Sequence, residues 1–137
     1  MKRHALLIVD MINALDFPEG GKLLATARPA AKRIAALKDR LKSRRVPVVY
    51  VNDNYGQWRS DFRQVIDRCG RDGSRGAPLV ETLHPDTDDY FVLKPERSGF
   101  RDTPLRRLLQ DLEADTLILT GIALDACVLA SAIDANI

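Results

Sequence analysis

The chain of 137 residues, 45% of them hydrophobic, has the length and apolar content of one globular domain, which we place over residues 1–137. Its 21 basic and 19 acidic residues are interspersed and give a net charge of +2, which argues against nucleic acid as a partner. No apolar stretch reaches the roughly 18 residues of a membrane span, and two cysteines cannot build a disulfide framework, so the composition predicts a cytoplasmic protein.

Four short apolar runs predict the strands of a sheet. Each run is continuous rather than alternating, which is typical of strands buried on both faces, as in parallel sheets. The runs are Ala5–Val9, Val46–Val51, Tyr90–Leu93 and Thr116–Thr120.

Between and after these runs, apolar residues recur every three or four positions, which predicts amphipathic helices. The predicted helices cover residues 24–41, 62–69, 105–112 and 125 to the chain end. Pro29 is expected near the start of the first helix, where a proline needs no backbone donor. Residues 70–78 are rich in turn-forming residues and are predicted to form a loop.

The alternation of strands and helices predicts right-handed βαβ crossovers. The expected fold is therefore an open parallel sheet with helices on both faces, a three-layer α/β/α architecture of Rossmann-like type. The fourth strand is followed by one helix, and Ile137 falls where that helix should continue. One edge of the sheet is thus expected to be exposed, and either the polypeptide is truncated or a second chain completes the sheet.

Three reactive side chains are expected at the carboxyl edge of the sheet, where open parallel sheets bind their ligands. Asp10 follows the first strand, Lys94 follows the third, and Cys127 comes shortly after the fourth. Together they suit nucleophilic catalysis, because a thiolate attacks, a carboxylate takes its proton, and an ammonium stabilises negative charge. Singly, each has a structural alternative as a helix cap, a solvated lysine or a small core residue.

The two cysteines are predicted to differ. Cys127 is expected in the first turn of the last helix, where backbone N–H groups and the helix dipole lower a thiol pKa. It should therefore react with iodoacetamide at a lower pH than an ordinary thiol. Cys69 continues an apolar helical stripe with Phe62, Val65 and Ile66, and is expected to be an unreactive core residue.

Four segments, spread over nearly the whole chain, carry a resemblance to a known family. They are LLIVDMINAL at residues 6–15, VVYVNDN at 48–54, KPERSGF at 94–100 and LILTGIALDACV at 117–128. They resemble the isochorismatase-like cysteine hydrolases, which include isochorismatases, nicotinamidases and N-carbamoyl amidohydrolases. The resemblance implies the same α/β fold, with further strand–helix units after the nucleophile's helix that are missing from this sequence.

The resemblance also implies a role for each residue of the site. Cys127 is the nucleophile, Asp10 the general base, and Lys94 the charge-stabilising third member of a catalytic triad. The peptide bond between Ile122 and Ala123 is expected to be cis. The backbone N–H groups of Ala123 and Cys127 form the oxyanion hole, and no cofactor is implied.

Side chains on the surrounding loops are expected to shape the substrate pocket: Asn13, Phe17, Asn54, Trp58 and Phe100. Nicotinamidases of the family bind a metal with an aspartate and several histidines after the second strand. The corresponding residues 52–58 contain no histidine, which argues against a metal site and a metal-dependent nicotinamidase. A second departure is Leu124, where the family commonly has threonine.

These observations favour hydrolysis of a C–N bond in a small amide or carbamoyl substrate through a covalent Cys127 intermediate. One alternative is the cleavage of a vinyl ether, which isochorismatases perform without the cysteine. Another is a truncated, inactive member that binds small molecules or assembles into oligomers. A nucleotide-binding domain is disfavoured, because no glycine-rich loop follows the first strand and Asp10 would repel phosphate. Homo-oligomers are expected, since members of this family often form dimers or tetramers.

Overall fold

A computed structural model of the chain describes residues 1–136, in which strands and helices alternate. The strands are β1 (His4–Val9), β2 (Val48–Asp53), β3 (Tyr90–Lys94) and β4 (Thr116–Gly121). The helices are α1 (Gly20–Lys42), α2 (Phe62–Gly70), α3 (Ala77–Thr82), α4 (Leu105–Asp111) and α5 (Leu129–Ala135), and a π-helical turn (Leu124–Val128) precedes α5. Within the described residues, no helix is both long enough and apolar enough to cross a membrane.

The strands form one parallel sheet in the order β3-β2-β1-β4. Strand β1 is central, so that Ile8 pairs with Tyr50 of β2 on one side and with Thr120 of β4 on the other. Residues 5–9 are completely buried, which explains their continuous apolar character. The strand order reverses between β1 and β4, the position at which such sheets bind ligands.

Two hydrophobic cores lie on the two faces of the sheet. Alternate side chains of β1 point to opposite faces. Leu6 and Ile8 pack with α1, α2 and α3, whereas Leu7 and Val9 pack with α4 and the π-helical turn. The three-layer α/β/α fold predicted from the sequence is confirmed.

Two helices differ from the prediction. Helix α1 begins at Gly20, so Pro29 lies inside the helix rather than near its start. Proline removes the hydrogen bond to the carbonyl of Ala25, but both residues are on the exposed face, where water can bind that carbonyl. Helix α3 begins at Ala77, within the predicted loop, with Pro78 in its first turn, where proline is favoured.

Strand β2 runs two residues further than predicted, through Asn52 and Asp53. Asn52 is completely buried. Its side-chain amide accepts a hydrogen bond from the Ile12 N–H (3.2 Å) and donates one to the Ile12 carbonyl (3.0 Å). The buried amide is therefore satisfied, which allows a polar residue inside the strand.

A buried ion-pair network ties α1 to the segment before β3. Lys38 is 5% exposed, and its Nζ lies 2.5 Å from Oδ2 of Asp89 and 3.2 Å from the Tyr50 hydroxyl. That hydroxyl donates to the carbonyl of Leu83 (2.8 Å). Lys42 contacts three carboxylates of the same segment, those of Asp86, Asp88 and Asp89.

The outer edge of β4 is unpaired within residues 1–136, and each residue of the strand is partly exposed. This is the exposed sheet edge that the sequence predicts. The helical segment after β4 begins as the π-helical turn, and regular α-helix starts only at Leu129. Three large apolar side chains of this segment are exposed: Leu124 (77%), Leu129 (50%) and Ile133 (58%).

Candidate active site

Asp10 stands at the carboxyl end of the central strand. Its backbone is left-handed (φ 53°), a conformation that aspartate adopts more readily than most residues, and its N–H donates to the Val51 carbonyl (3.0 Å). Oδ1 accepts from the N–H of Asp53 (2.8 Å), and Oδ2 lies 3.0 Å from Nζ of Lys94. Groups of β2 and β3 therefore hold both carboxylate oxygens.

Lys94 is the last residue of β3, and its side chain is completely buried. A buried ammonium needs partners, and this one donates to the carbonyl of Glu96 (3.0 Å) in addition to pairing with Asp10. The Lys94 carbonyl accepts from the N–H of Asn54 (3.1 Å), which joins the loops after β2 and β3. A positive charge is thus fixed at the sheet edge.

The turn that leads from β4 to Cys127 passes very close to β1. Gly121 has φ +127°, and a Cβ at this position would lie 2.0 Å from the Val9 carbonyl oxygen, so only glycine fits. The N–H of Ile122 donates to the same carbonyl (3.0 Å), and the Ile122–Ala123 peptide bond is cis. The π-helical turn that carries Cys127 begins directly afterwards.

Cys127 lies near the buried ion pair. The residue is half-buried, and its thiol is close enough to the Asp10 carboxylate and the Lys94 ammonium for both groups to shift its pKa. The structure therefore brings together the three side chains that the sequence places at this edge, although they lie far apart along the chain.

The thiol pKa differs from the sequence-based prediction. Burial, followed by the neighbouring Asp10 carboxylate, raises the pKa of Cys127 above its usual 9.0, and Lys94 offsets part of the effect. The predicted low pKa is therefore wrong: the prediction weighed only the helix start, whereas the burial of the thiol and the Asp10 carboxylate both favour the neutral thiol. Burial also raises the pKa of Asp10 above its usual 3.8, against the opposing effect of Lys94.

Cys69 is a core residue, as the apolar stripe predicts. It is completely buried on α2 and belongs to the core on that face of the sheet. Burial raises the pKa of its thiol as well. Because it is shielded from solvent, Cys69 is an internal reference for measurements on Cys127.

A cavity of about 670 Å³ opens between the loops after β2 and β3, and within residues 1–136 its lining includes none of Asp10, Lys94 and Cys127. Its lining includes Leu93 and Pro95, the sequence neighbours of Lys94, together with Asn54 and Trp58. Trp58 is 79% exposed, which leaves its ring accessible to a ligand. Two of the five predicted substrate-binding residues therefore share a cavity of the size that small ligands occupy.

The other three predicted substrate-binding residues do not line this cavity within residues 1–136. The side-chain oxygen of Asn13 accepts from the N–H of Leu15 (2.9 Å) and so fixes its own loop. Phe17 is 39% exposed. Phe100 packs against the same hydrophobic core as Cys127, and its ring lies 5.4 Å from the guanidinium of Arg106.

Two residues that hold the loop after Asp10 were not among the predicted site residues. Asn52 bonds to both the N–H and the carbonyl of Ile12, and the Tyr55 hydroxyl donates to that carbonyl as well (2.8 Å). The sequence signal of Asn52 is a polar residue directly after an apolar run, which predicts the end of a strand. This signal becomes informative only once the strand is known to continue through Asn52.

Residues 52–58, at the end of β2 and in the loop after it, do not fit a metal site. The Asn52 amide is bonded to the main chain, and the Asp53 carboxylate accepts from a nearby backbone N–H. His4 begins β1 at the opposite edge of the sheet, and His84 lies between α3 and β3. In the part of the chain that is described, one group of possible metal ligands occurs, and lysines bind its carboxylates: Asp86, Asp88 and Asp89.

The parallel sheet defines a three-layer α/β protein, and its carboxyl edge, where such sheets bind ligands, carries a carboxylate, an ammonium and a thiol. Comparison with known proteins identifies the family, because residues 4–137 match the model described as Isochorismatase domain. The chain belongs to the isochorismatase family of hydrolases, and the resemblance inferred from the sequence is confirmed.

Three relatives show the extent of the similarity. The isochorismatase family protein YaaI of Bacillus subtilis (strain 168) is 37% identical over 131 residues, which cover 96% of this chain and 71% of the relative. The structure of N-carbamoylsarcosine amidase from Thermoplasma acidophilum matches with a TM-score of 0.63 at 31% identity. The match covers 97% of this chain and 75% of the amidase chain. The nicotinamidase SaPncA from Staphylococcus aureus has a TM-score of 0.69 at 21% identity, with coverages of 98% and 76%.

Proposed function

We propose that this chain is a cysteine hydrolase that cleaves the C–N bond of a small amide or carbamoyl substrate. The observation that carries the proposal is the buried pair of the Asp10 carboxylate and the Lys94 ammonium (3.0 Å), with the Cys127 thiol close enough for both charges to shift its pKa. A thiol beside a base is the arrangement that activates a sulfur nucleophile. The similarity to N-carbamoylsarcosine amidase at 31% identity agrees with this substrate class.

The first half of the reaction forms a thioester on Cys127. As Sγ attacks the carbonyl carbon, its proton passes to the Asp10 carboxylate and a C–S bond forms. The negative charge on the carbonyl oxygen is bound by the backbone N–H groups of Ala123 and Cys127. When this oxyanion collapses, the C–N bond breaks, and Asp10 gives its proton to the leaving nitrogen, which departs as ammonia or an amine.

The second half of the reaction consumes one water molecule. Asp10 takes a proton from water as the water oxygen attacks the thioester carbon. The C–S bond then breaks, the acid product leaves, and the proton on Asp10 returns to the Cys127 sulfur. The cycle restores the starting thiol and carboxylate, and no electron donor or acceptor is needed.

The charges of the site assign distinct roles to Asp10 and Lys94. Because burial raises the pKa of both the thiol and the Asp10 carboxyl, the resting nucleophile is a protonated thiol beside a strengthened base, not a preformed thiolate. Lys94 lowers the pKa of both groups. It therefore favours the ionised form of Asp10 and stabilises the negative charge that develops on sulfur.

A panel of small amides and carbamoyl compounds, screened for release of ammonia or amine, tests the proposal. We expect turnover by the wild-type chain and a loss of about 10³-fold or more in Cys127→Ala, because single removals of a covalent nucleophile cost at least this much. Cys69→Ala is the matched control and should retain activity. Wild-type turnover in Cys127→Ala would contradict the assignment.

We also propose that the chain self-associates. The segment that follows the unpaired strand β4 exposes the large apolar side chains of Leu124, Leu129 and Ile133, and exposed apolar surface is typical of protein interfaces. Sedimentation should detect an oligomer that Leu129→Lys weakens. A monomer at all concentrations would contradict this proposal.

A further inference from the structure

Ser131 links the loop after Lys94 to the turn that carries Cys127. Its side chain is almost completely buried, with the residue 1% exposed. The hydroxyl donates to the carbonyl of Cys127 (2.7 Å) and accepts from the N–H of Gly99 (2.9 Å). One buried hydroxyl thus bonds, as donor and as acceptor, to two segments that are distant in sequence.

The Gly99 end of this link is fixed by close packing on the sheet. A Cβ at Gly99 would lie 2.6 Å from Cγ1 of Val51 and 3.5 Å from Oγ of Ser131. A side chain at this position would collide with Val51, so the backbone lies this close to the sheet, and to the hydroxyl, because the residue is glycine. The Gly99 carbonyl accepts from the Thr103 hydroxyl (2.5 Å). Both the N–H and the carbonyl of Gly99 are therefore bonded, which fixes the loop after Lys94 at this point.

The other end of the link is the backbone of Cys127 itself. Cys127 lies in a π-helical turn, a rare conformation that is frequent at functional sites. Serine hydroxyls in helices can bond the carbonyl four residues earlier, and Ser131 does so where the π-helical turn gives way to α5. The position of the Cys127 backbone and that of the Gly99 loop therefore depend on the same hydroxyl.

We propose that Ser131 is a positioning residue, which sets the location of the Cys127 thiol relative to Asp10 and Lys94. The expected effect on catalysis rests on the proposed function, whereas the expected effect on the thiol does not depend on it. Ser131 touches no reacting atom. Because Asp10 raises the thiol pKa and Lys94 lowers it, a displacement of the sulfur between these charges changes the thiol pKa.

The test is the pH dependence of Cys127 alkylation by iodoacetamide in the substrate-free chain, resolved by peptide mass spectrometry. In Ser131→Ala the midpoint should shift by about half a pH unit or more from wild type, while Cys69 stays unreactive in the folded protein. With a substrate from the amide panel, kcat should fall about tenfold or more while KM changes less than about twofold, because a slightly misplaced catalytic group slows the chemical step.

Two sets of variants separate positioning from general stability. Ser98→Ala is the matched control, because Ser98 is 5% exposed and its hydroxyl accepts from Phe100 N–H (3.2 Å) inside the same loop; its midpoint should equal that of wild type. Ser131→Thr and Ser131→Val have the same shape but differ in the hydroxyl. The threonine variant should retain the wild-type midpoint and the valine variant should shift it, and this pair carries the test if Ser131→Ala does not fold.

An unshifted midpoint in folded Ser131→Ala or Ser131→Val would overturn the proposal. So would an equal shift in Ser98→Ala, or identical behaviour of the threonine and valine variants. If the wild-type chain hydrolyses no compound of the panel but the midpoints shift as expected, the positioning role stands and the proposed function fails. If Cys127→Ala abolishes hydrolysis while Ser131→Ala changes neither the midpoint nor kcat, the proposed function stands and the positioning role fails.

Discussion

The carboxylate of Asp10 and the ammonium of Lys94 lie 3.0 Å apart, with 7% and 0% of their side chains exposed. They join the ends of β1 and β3, which are not adjacent because β2 lies between them. Removing either charge leaves the other buried without its ionic partner. Asp10 raises the pKa of the Cys127 thiol and Lys94 lowers it, so the reactivity of the thiol depends on the two charges in opposite directions.

Replacement of Asp10 separates the acidity of the thiol from catalysis. In Asp10→Asn the carboxylate that raises the thiol pKa is gone, so Cys127 should be alkylated at lower pH than in wild type. Hydrolysis should nevertheless fall by about 10²–10⁴-fold, because no base remains to take the thiol proton. Alkylation by iodoacetamide and product release, measured on the same preparation, check both effects. An unchanged alkylation midpoint would show that Asp10 does not act on the thiol.

Replacement of Lys94 should destabilise the fold and raise the thiol pKa. Lys94→Met leaves the Asp10 carboxylate buried without an ion pair, which costs about 3–5 kcal/mol of the free energy of unfolding. In the double variant with Asp10→Asn no charge is left unpaired, so its loss should be smaller than the sum of the two single losses. Denaturant unfolding of the four proteins measures this coupling, and strictly additive losses would contradict a buried ion pair.

Activity should have an acid limb above the usual range of a carboxyl group. Asp10 must be ionised to act as the base, and burial raises its pKa above 3.8, so kcat/KM should rise with pH through a midpoint above that value. The effect on folding has a definite sign. Folded Asp10 binds its proton more tightly than unfolded Asp10, so its contribution to stability is complete below pH 3.8 and is lost as the pH rises through the folded pKa. An acid limb at or below 3.8 would contradict the assignment.

The polypeptide pattern predicts the sheet edge but not its electrostatics. The apolar run that ends at Asp10 indicates a doubly buried strand, and parallel topology then places Asp10 and Lys94 at the same edge. The thiol pKa could not be predicted, because it depends on how deeply Cys127 is buried and on its distance from Asp10, which are tertiary quantities. Local signals indicated only that a helix begins near Cys127.

Residue types that usually mark the end or the start of an element account for the other differences between prediction and structure. Asn52 predicts the end of a strand, but β2 continues through it because its amide bonds to the backbone of Ile12, forty residues earlier in the chain. Pro29 reads as a helix start, but it is tolerated inside α1 because it lies on the exposed face. The role of Ser131 could not be predicted either, because its hydroxyl accepts a hydrogen bond from the N–H of Gly99, which is distant in sequence.

The buried network around Lys38 should contribute to stability independently of the active site. The Tyr50 hydroxyl binds both Lys38 and the Leu83 carbonyl, so Tyr50→Phe leaves two buried polar groups short of a partner and should cost about 1–3 kcal/mol. Tyr90→Phe, at a residue that is 41% exposed, is the matched control and should change stability by less than about 0.5 kcal/mol. Denaturant unfolding compares them, and equal losses would argue against the network.

The most direct measurement is the mass of the chain during turnover. A reaction with a hydrolysed amide, quenched in acid and digested, should contain an acyl group on the peptide with Cys127 and none on the peptide with Cys69. The adduct should be absent from Cys127→Ala and present in Cys69→Ala. Covalent catalysis by this cysteine would be contradicted if the wild-type chain turned over substrate without any adduct and Cys127→Ala hydrolysed it at the same rate.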